Sequence, residues 1–453
     1  MGLGAVRSPP SPRGVDQVRL LRRLFVEPQP VLDELCATCG PVAGLGAGPV
    51  RMAVIGDPAV LRELFALPSS SFRWGHRFNV LGFVVGDGSM IVSDGEDHRR
   101  RRGAVQAGFG LRRLRGWVPM IVDRVDAAVD ALEVALPADG AVVDLYPFGR
   151  RAVLEVAVTA FFGDHLAPRA REIGDLFQRP QDYLESPAVR QLPHPFPFTR
   201  RARVGQDRKA LDTIIDEAIA ERRRAPGDDP PDLLGALVDT GDLTDAEVRD
   251  QVVTLIGAGY DTTAASLAWA LWCAATTPGL WAALRTEADD VLGPTGSEGS
   301  AADASAVDRL GLAARVVRET LRLHPAGALS PREAAVDVEV GGFGIARGTL
   351  ILWSPHLAGR DPEAWPDPLR FDPDRFLDPD ADQQAAIDDA WVPFGRGPRR
   401  CIGFALAQME LTLAVARLAQ RLDVDAGGAS PPRPVGMVVN RPEGGVPFHV
   451  RAR

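Results

Sequence analysis

One cysteine sits where its chemistry should differ from that of an ordinary buried thiol. Residues 394–403 read Phe-Gly-Arg-Gly-Pro-Arg-Arg-Cys-Ile-Gly, and a helical run follows from 404 to 422. Cys401 therefore precedes a helix start, among backbone N–H groups without intrahelical acceptors and at the positive end of the helix dipole. Both features favour thiolate over thiol. Gly395 and Gly397 let the backbone turn tightly and approach a flat ligand, and Gly403 removes a side chain one turn on. Phe394 can shield one side of the sulfur. Taken alone, a cysteine in such a loop also reads as a buried structural residue.

Three further segments carry polar groups at informative spacings. Asp261 and Thr262 interrupt a long apolar stretch in Ala258-Gly-Tyr-Asp-Thr-Thr263, and buried polar groups need partners or a purpose. Thr262 can bond back to a carbonyl while Gly259 leaves space, which allows a local bulge with room for oxygen and water. The plainer alternative is a helix-kinking threonine beside a capped aspartate. Glu319 and Arg322, three apart on a helix that Pro325 ends, share a face and can pair. His98 and Arg102, four apart, share another helical face. Arg99, Arg100 and Arg101 between them read as a solvated surface and are given no cofactor role.

The pattern F-G-x-G-x-R-x-C-x-G across 394–403 resembles the haem-binding loop of cytochrome P450 enzymes at every defined position. The other segments match the same family in the same order, over roughly residues 75–403. The resemblance implies a mainly α fold with a minor β portion, the cytochrome P450 fold, holding haem b. It makes Cys401 the proximal iron ligand and Arg399, His98, Arg102 and Arg332 the groups that bind the haem propionates. His98 departs from the tryptophan often found there. Glu319, Arg322 and Arg375 (in Pro373-Asp-Arg-Phe376) become a structural Glu–Arg–Arg triad, and His356 falls in a further family-like stretch. Asp261 and Thr262 match the family's A-G-x-D/E-T signature, whose acid and threonine manage proton delivery to bound dioxygen. The implied activity is monooxygenation of a hydrophobic small molecule, a terpenoid, polyketide or similar skeleton. Electrons are expected from a separate ferredoxin or flavodoxin with its reductase, since no flavin-binding region follows Cys401. Direct use of peroxide, or a non-catalytic haem carrier or sensor, are the rival readings.

Composition agrees with a large enzyme. The chain has 453 residues, 45% hydrophobic, with net charge −9. That is ample for an extensive core and argues against nucleic-acid binding, which needs clustered positive charge. Lys209 is the single lysine, so arginine dominates by coding bias. Four cysteines do not make a disulfide scaffold. Cys36 and Cys39 lack the other two ligands of a closed zinc site and read as a chance pair. No leader or anchor is recognisable at the start, and residues 252–277, with Asp261 at the centre, suit a buried core helix better than a bilayer span. A cytoplasmic monomer is expected, with a loose tail over residues 1–15 and one domain over 16–453. Periodicity predicts helices over 15–24, 31–39, 58–66, 114–136, 152–162, 206–224 and 244–277, and strands over 50–55, 336–340 and 349–353. Residues 293–305 read as a surface insertion. Pocket walls are expected from 74–91, 176–198, 326–330 and 435–439, and a basic docking cluster from Arg112, Arg113, Arg115, Arg396 and Arg400 with Arg99–Arg101 nearby.

Overall fold

The helices expected from periodicity form, and several boundaries move for reasons written in the sequence. A computed structural model describes residues 7–74, 80–186, 191, 198–224, 232–293 and 305–453. The run expected over 114–136 is two helices, Leu111–Gly116 and Val118–Ala135, broken at Trp117. Pro119 is the cause, because it has no N–H to give to a carbonyl one turn back and so suits only the first turn of a new helix. The strand expected from 50 starts at Met52, since Gly48–Val50 with Pro49 forms a tight turn instead. The helix expected over 152–162 lies within a helical span Leu145–Leu166 that is kinked at Gly163 (φ 52°, ψ −148°) and capped by Asp144 accepting from the Tyr146 N–H. Most of the insertion expected over 293–305 lies outside the described residues, as do parts of two expected pocket walls. Of the expected tail, residues 1–6 lie outside them too, while the Gly44 and Gly344 amides donate to the Pro10 and Arg7 carbonyls.

The chain sorts into two compact units. The first draws on Met1–Arg77, Arg318–Cys401 and Arg433–Glu443. Its centre is a five-stranded sheet in the order Val42–Leu45, Met52–Ile55, Leu350–Trp353, Ser330–Ala334, Phe72–Arg73. Met52–Ile55 and Leu350–Trp353 run parallel and the other neighbours antiparallel. Helices Gly14–Leu24 and Pro28–Cys39 cover one face through Leu20, Leu24, Leu32 and Leu35. Helix Pro58–Ala66 packs Leu61 and Leu64 with Phe72, Ile351 and Trp353 in a second core.

The second unit draws on Phe78–Val317, Ile402–Pro432 and Gly444–Arg453 and is mainly helical. Its axis is the helix Asp245–Thr276, 32 residues long. Thr244 and Glu247 form a capping box at its start, each side chain meeting the other's backbone N–H. Helices Leu145–Leu166 and Phe404–Arg421 pack along it. A three-stranded sheet, Ala141–Asp144, Pro447–Ala452, Leu422–Asp425, closes one end. Among the described residues no single helix is long and apolar enough to cross a membrane.

Candidate active site

In the first unit the cysteine loop is built as its glycines require. Gly395 and Gly397 have φ of 66° and 69°, which a side chain would strain. A Cβ on Gly395 would also approach the Trp353 ring at 3.1 Å. The turn brings the Cys401 amide to the Phe394 carbonyl at 2.8 Å. Among the four cysteines Cys401 alone is exposed. Cys36, by contrast, is pushed up to about 11 by burial and then by Asp33, the reverse of a reactive thiol. In the second unit Gly403 caps helix Phe404–Arg421, where an added Cβ would meet Phe109 only at an ordinary 3.9 Å.

The Glu–Arg–Arg group lies wholly in the first unit and is saturated. Arg322 grips Glu319 through Nε and Nη2 at 2.7 and 2.8 Å. Its Nη1 donates to the carbonyls of Gly359 and Pro368, and Nη2 to that of Arg370. Arg375 Nε reaches Glu319 at 3.3 Å, and the Asp372 amide donates to the same carboxylate at 2.9 Å. Gly359 allows this packing, because a Cβ there would stand 2.3 Å from the Arg322 carbonyl oxygen. The residue before Glu319 on the same helix, Gly311–Leu323, ties in the cysteine loop: Trp391 Nε1 donates to the Arg318 carbonyl at 3.0 Å, and its ring contacts Phe394 at 5.8 Å between centroids. The motif does not signal Gly359, Asp372 or Trp391.

Arg332 and Arg399 come together in the same unit. Both guanidinium groups lie over the Trp74 ring, 5.2 and 4.1 Å from its centre. Arg332 is 6% exposed, and its Nε is buried without a hydrogen-bond partner. Burial and then the neighbouring charge of Arg399 pull it down to about 10. A buried cation beside a second cation suits an anionic ligand, and a haem carboxylate meets that demand. The donor set fits the group: an exposed thiol on a glycine-turned loop and a buried cation awaiting an anion.

In the second unit Asp261 is fully buried on helix Asp245–Thr276. Tyr146 Oη stands 3.4 Å and Arg150 Nε 3.3 Å from its Oδ1, and the Arg150 guanidinium lies over the Tyr260 ring. Neither Tyr146 nor Arg150 was expected from the sequence. Their i,i+4 spacing on one helix face was the available signal. Thr262 donates back to the Ala258 carbonyl. Ala258 is exposed and Gly257, Gly259 and Thr262 half-buried, so an otherwise buried helix opens one face beside the acid–threonine pair. Gly257 admits the Phe177 ring, which a Cβ would meet at 2.5 Å.

His98, buried, and Arg102, half-buried, follow one turn apart on helix Gly95–Ala107. Arg100 and Arg101 are not the free solvated charges expected. Both hold Glu247, whose carboxyl is drawn down to about 2, chiefly by Arg100. In the expected docking cluster, Arg115 pairs with Asp308 and Arg396 with Asp389.

The family model described as cytochrome P450 matches residues 17–447, so the chain belongs to the cytochrome P450 family and is an oxidoreductase of the monooxygenase class. A putative cytochrome P450 139 of Mycobacterium tuberculosis is 35% identical over 84% of this chain and 87% of the relative. Cyclooctat-9-en-7-ol 5-monooxygenase of Streptomyces melanosporofaciens is 31% identical over 84% and 82%. Pentalenene oxygenase of Streptomyces avermitilis is 30% identical over 88% and 87%. Retinoic acid-bound cyanobacterial CYP120A1 superposes with a TM-score of 0.85 over 99% of this chain and 100% of that one, at 24% identity, which shows the fold.

Proposed function

We propose that residues 16–453 act as one haem-thiolate monooxygenase domain that transfers one oxygen atom of dioxygen to a terpenoid or similar hydrophobic skeleton. The second oxygen leaves as water, with two protons and two electrons from a separate ferredoxin or flavodoxin and its reductase. The observation that carries the reading is Cys401, exposed on a loop with two left-handed glycines and fixed by its own amide. Terpenoid chemistry is supported by the names of the two Streptomyces relatives.

Cys401 would ligate the iron, and His98, Arg102, Arg332 and Arg399 would hold the propionates. Phe394 would cover the sulfur, while Gly395 and Gly403 keep backbone close to the ring. The bound haem supplies dioxygen activation, which a thiolate ligand favours by donating electron density. Thr262, its O–H given to the Ala258 carbonyl, would present its Oγ1 as an acceptor on the open helix face, and Asp261, steadied by Arg150, would pass protons inward from Tyr146. This acid–threonine pair favours dioxygen over peroxide as the oxidant.

The test is the reduced, carbon-monoxide-bound spectrum. Wild type is expected to show the red-shifted Soret band of a thiolate ligand. Cys401→His should move it to the histidine-ligated position, and Cys36→Ser and Cys273→Ser should leave it in place. An unchanged band in Cys401→His would remove the assignment.

A further inference from the structure

Trp74 has no role in the reaction described above, yet the sheet places it with care. Strand Phe72–Arg73 pairs antiparallel with Ser330–Ala334, Phe72 opposite Ala334 and Arg73 opposite Glu333. Continuing that register by one residue sets Trp74 beside Arg332. The guanidinium of Arg332 is then enclosed by three rings, at 5.1 Å from Phe65, 4.9 Å from Phe72 and 5.2 Å from Trp74. Phe65 is braced edge-on by Trp353. Arg399 lies closer still to Trp74, at 4.1 Å.

Two cations this close repel each other, and Arg332 has given up most of its water. The negative faces of aromatic rings offset that repulsion, and Trp74 is a ring both cations share. We propose that Trp74 is a positioning residue, holding Arg332 and Arg399 together as a cationic clamp for the carboxylates at the haem edge. The proposal rests on the haem-binding reading. A planar ring holds a guanidinium through its face, and Arg332 Nε stays buried without a hydrogen-bond partner, where a carboxylate partner within the fold would have consumed it. Tryptophan suits the task best, because its face attracts cations more strongly than that of phenylalanine.

The experiment uses the haem-loaded full chain with Trp74→Leu and Trp74→Phe. Haem loss is followed by transfer to excess apomyoglobin, and the propionate-bending bands are read by resonance Raman. Trp74→Leu should lose haem about tenfold faster than wild type, as two cation–π contacts would allow, with shifted propionate bands. Trp74→Phe should restore both to near wild type. Wild-type haem loss and unmoved bands in Trp74→Leu overturn the proposal, as does equal loss in both variants, which would mark Trp74 as packing alone. A wild type that holds haem without the thiolate Soret band refutes the proposed function but leaves the Trp74 comparison readable. A wild type that takes up no haem refutes both.

Discussion

Glu319 and Asp261 are both fully buried carboxylates facing an arginine, one in each unit, and they are held differently. Glu319 has Arg322 at 2.7 Å, Arg375 at 3.3 Å and the Asp372 amide at 2.9 Å, while Arg322 spends its other N–H groups on three carbonyls. Asp261 meets its arginine and tyrosine at 3.3 and 3.4 Å, and Arg150 keeps buried Nε and Nη2 without hydrogen-bond partners. A saturated buried pair resists rearrangement, because each lost bond leaves an uncompensated charge. An arginine with nitrogens in reserve, as Arg150 has, can exchange partners. The comparison teaches that burial alone does not separate the two pairs; the completeness of the arginine's hydrogen bonding does.

The largest effect expected from breaking this contrast is on the saturated side. Glu319→Ala should cost roughly 3–5 kcal/mol, seen as a lower melting temperature and mostly haem-free protein. Normal melting and haem content would contradict the scaffold role. On the other side, Asp261→Asn should keep haem and fold but slow turnover about a hundredfold, at the low end for positioned acid–base groups. Thr262→Ala should keep consuming reductant while diverting most of it to hydrogen peroxide. Full coupling of electrons to product in Thr262→Ala would end the proton-delivery role.

A third buried carboxylate sharpens the comparison. Among the described residues no arginine pairs with Glu410 on helix Phe404–Arg421; its Oε1 is buried without a hydrogen-bond partner, and burial pushes its carboxyl up to about 8. A raised carboxyl binds its proton more tightly folded than unfolded, so it lowers stability progressively as pH rises from about 4.5 to 8. Glu410→Gln should therefore be more stable than wild type by about 1–3 kcal/mol at neutral pH, the gap shrinking towards pH 4.5. Chemical denaturation across that range measures it, and a less stable Gln variant at pH 8 would show an unseen partner for the charge.

The smallest effect concerns His356, whose Nε2 meets Asp33 at 2.9 Å and whose Nδ1 accepts from Arg360 at 2.8 Å. Burial, then Arg360, lowers its ionisation below the usual 6.5. A depressed histidine contributes stability that is present above the unfolded value and lost as pH falls below it. The melting temperature should fall between about pH 6.5 and 5, and His356→Asn should flatten that slope by about 1 kcal/mol or less. An unchanged slope would mean that His356 stays neutral throughout, leaving His324, whose ionisation burial also lowers, to account for any fall.

The sequence by itself determined the local pieces. Hydrophobic spacing set the long helix, Thr244 and Glu247 set its first turn, and Pro119 already held the break that periodicity overlooked. Gly395 and Gly397 dictated the cysteine turn, and the spacing of Glu319 and Arg322 their pairing, because each is a contact between near neighbours in the chain. Tertiary structure decided what depends on partners far away in sequence. Arg150 finds Asp261 across 111 positions only once two helices pack, and Arg100 and Arg101 find Glu247 instead of solvent. Trp74 meets Arg332 and Arg399 only through sheet register. Such pairings leave no periodic trace, because a charge's partner is set by which backbone surfaces bury together and not by its own residue type.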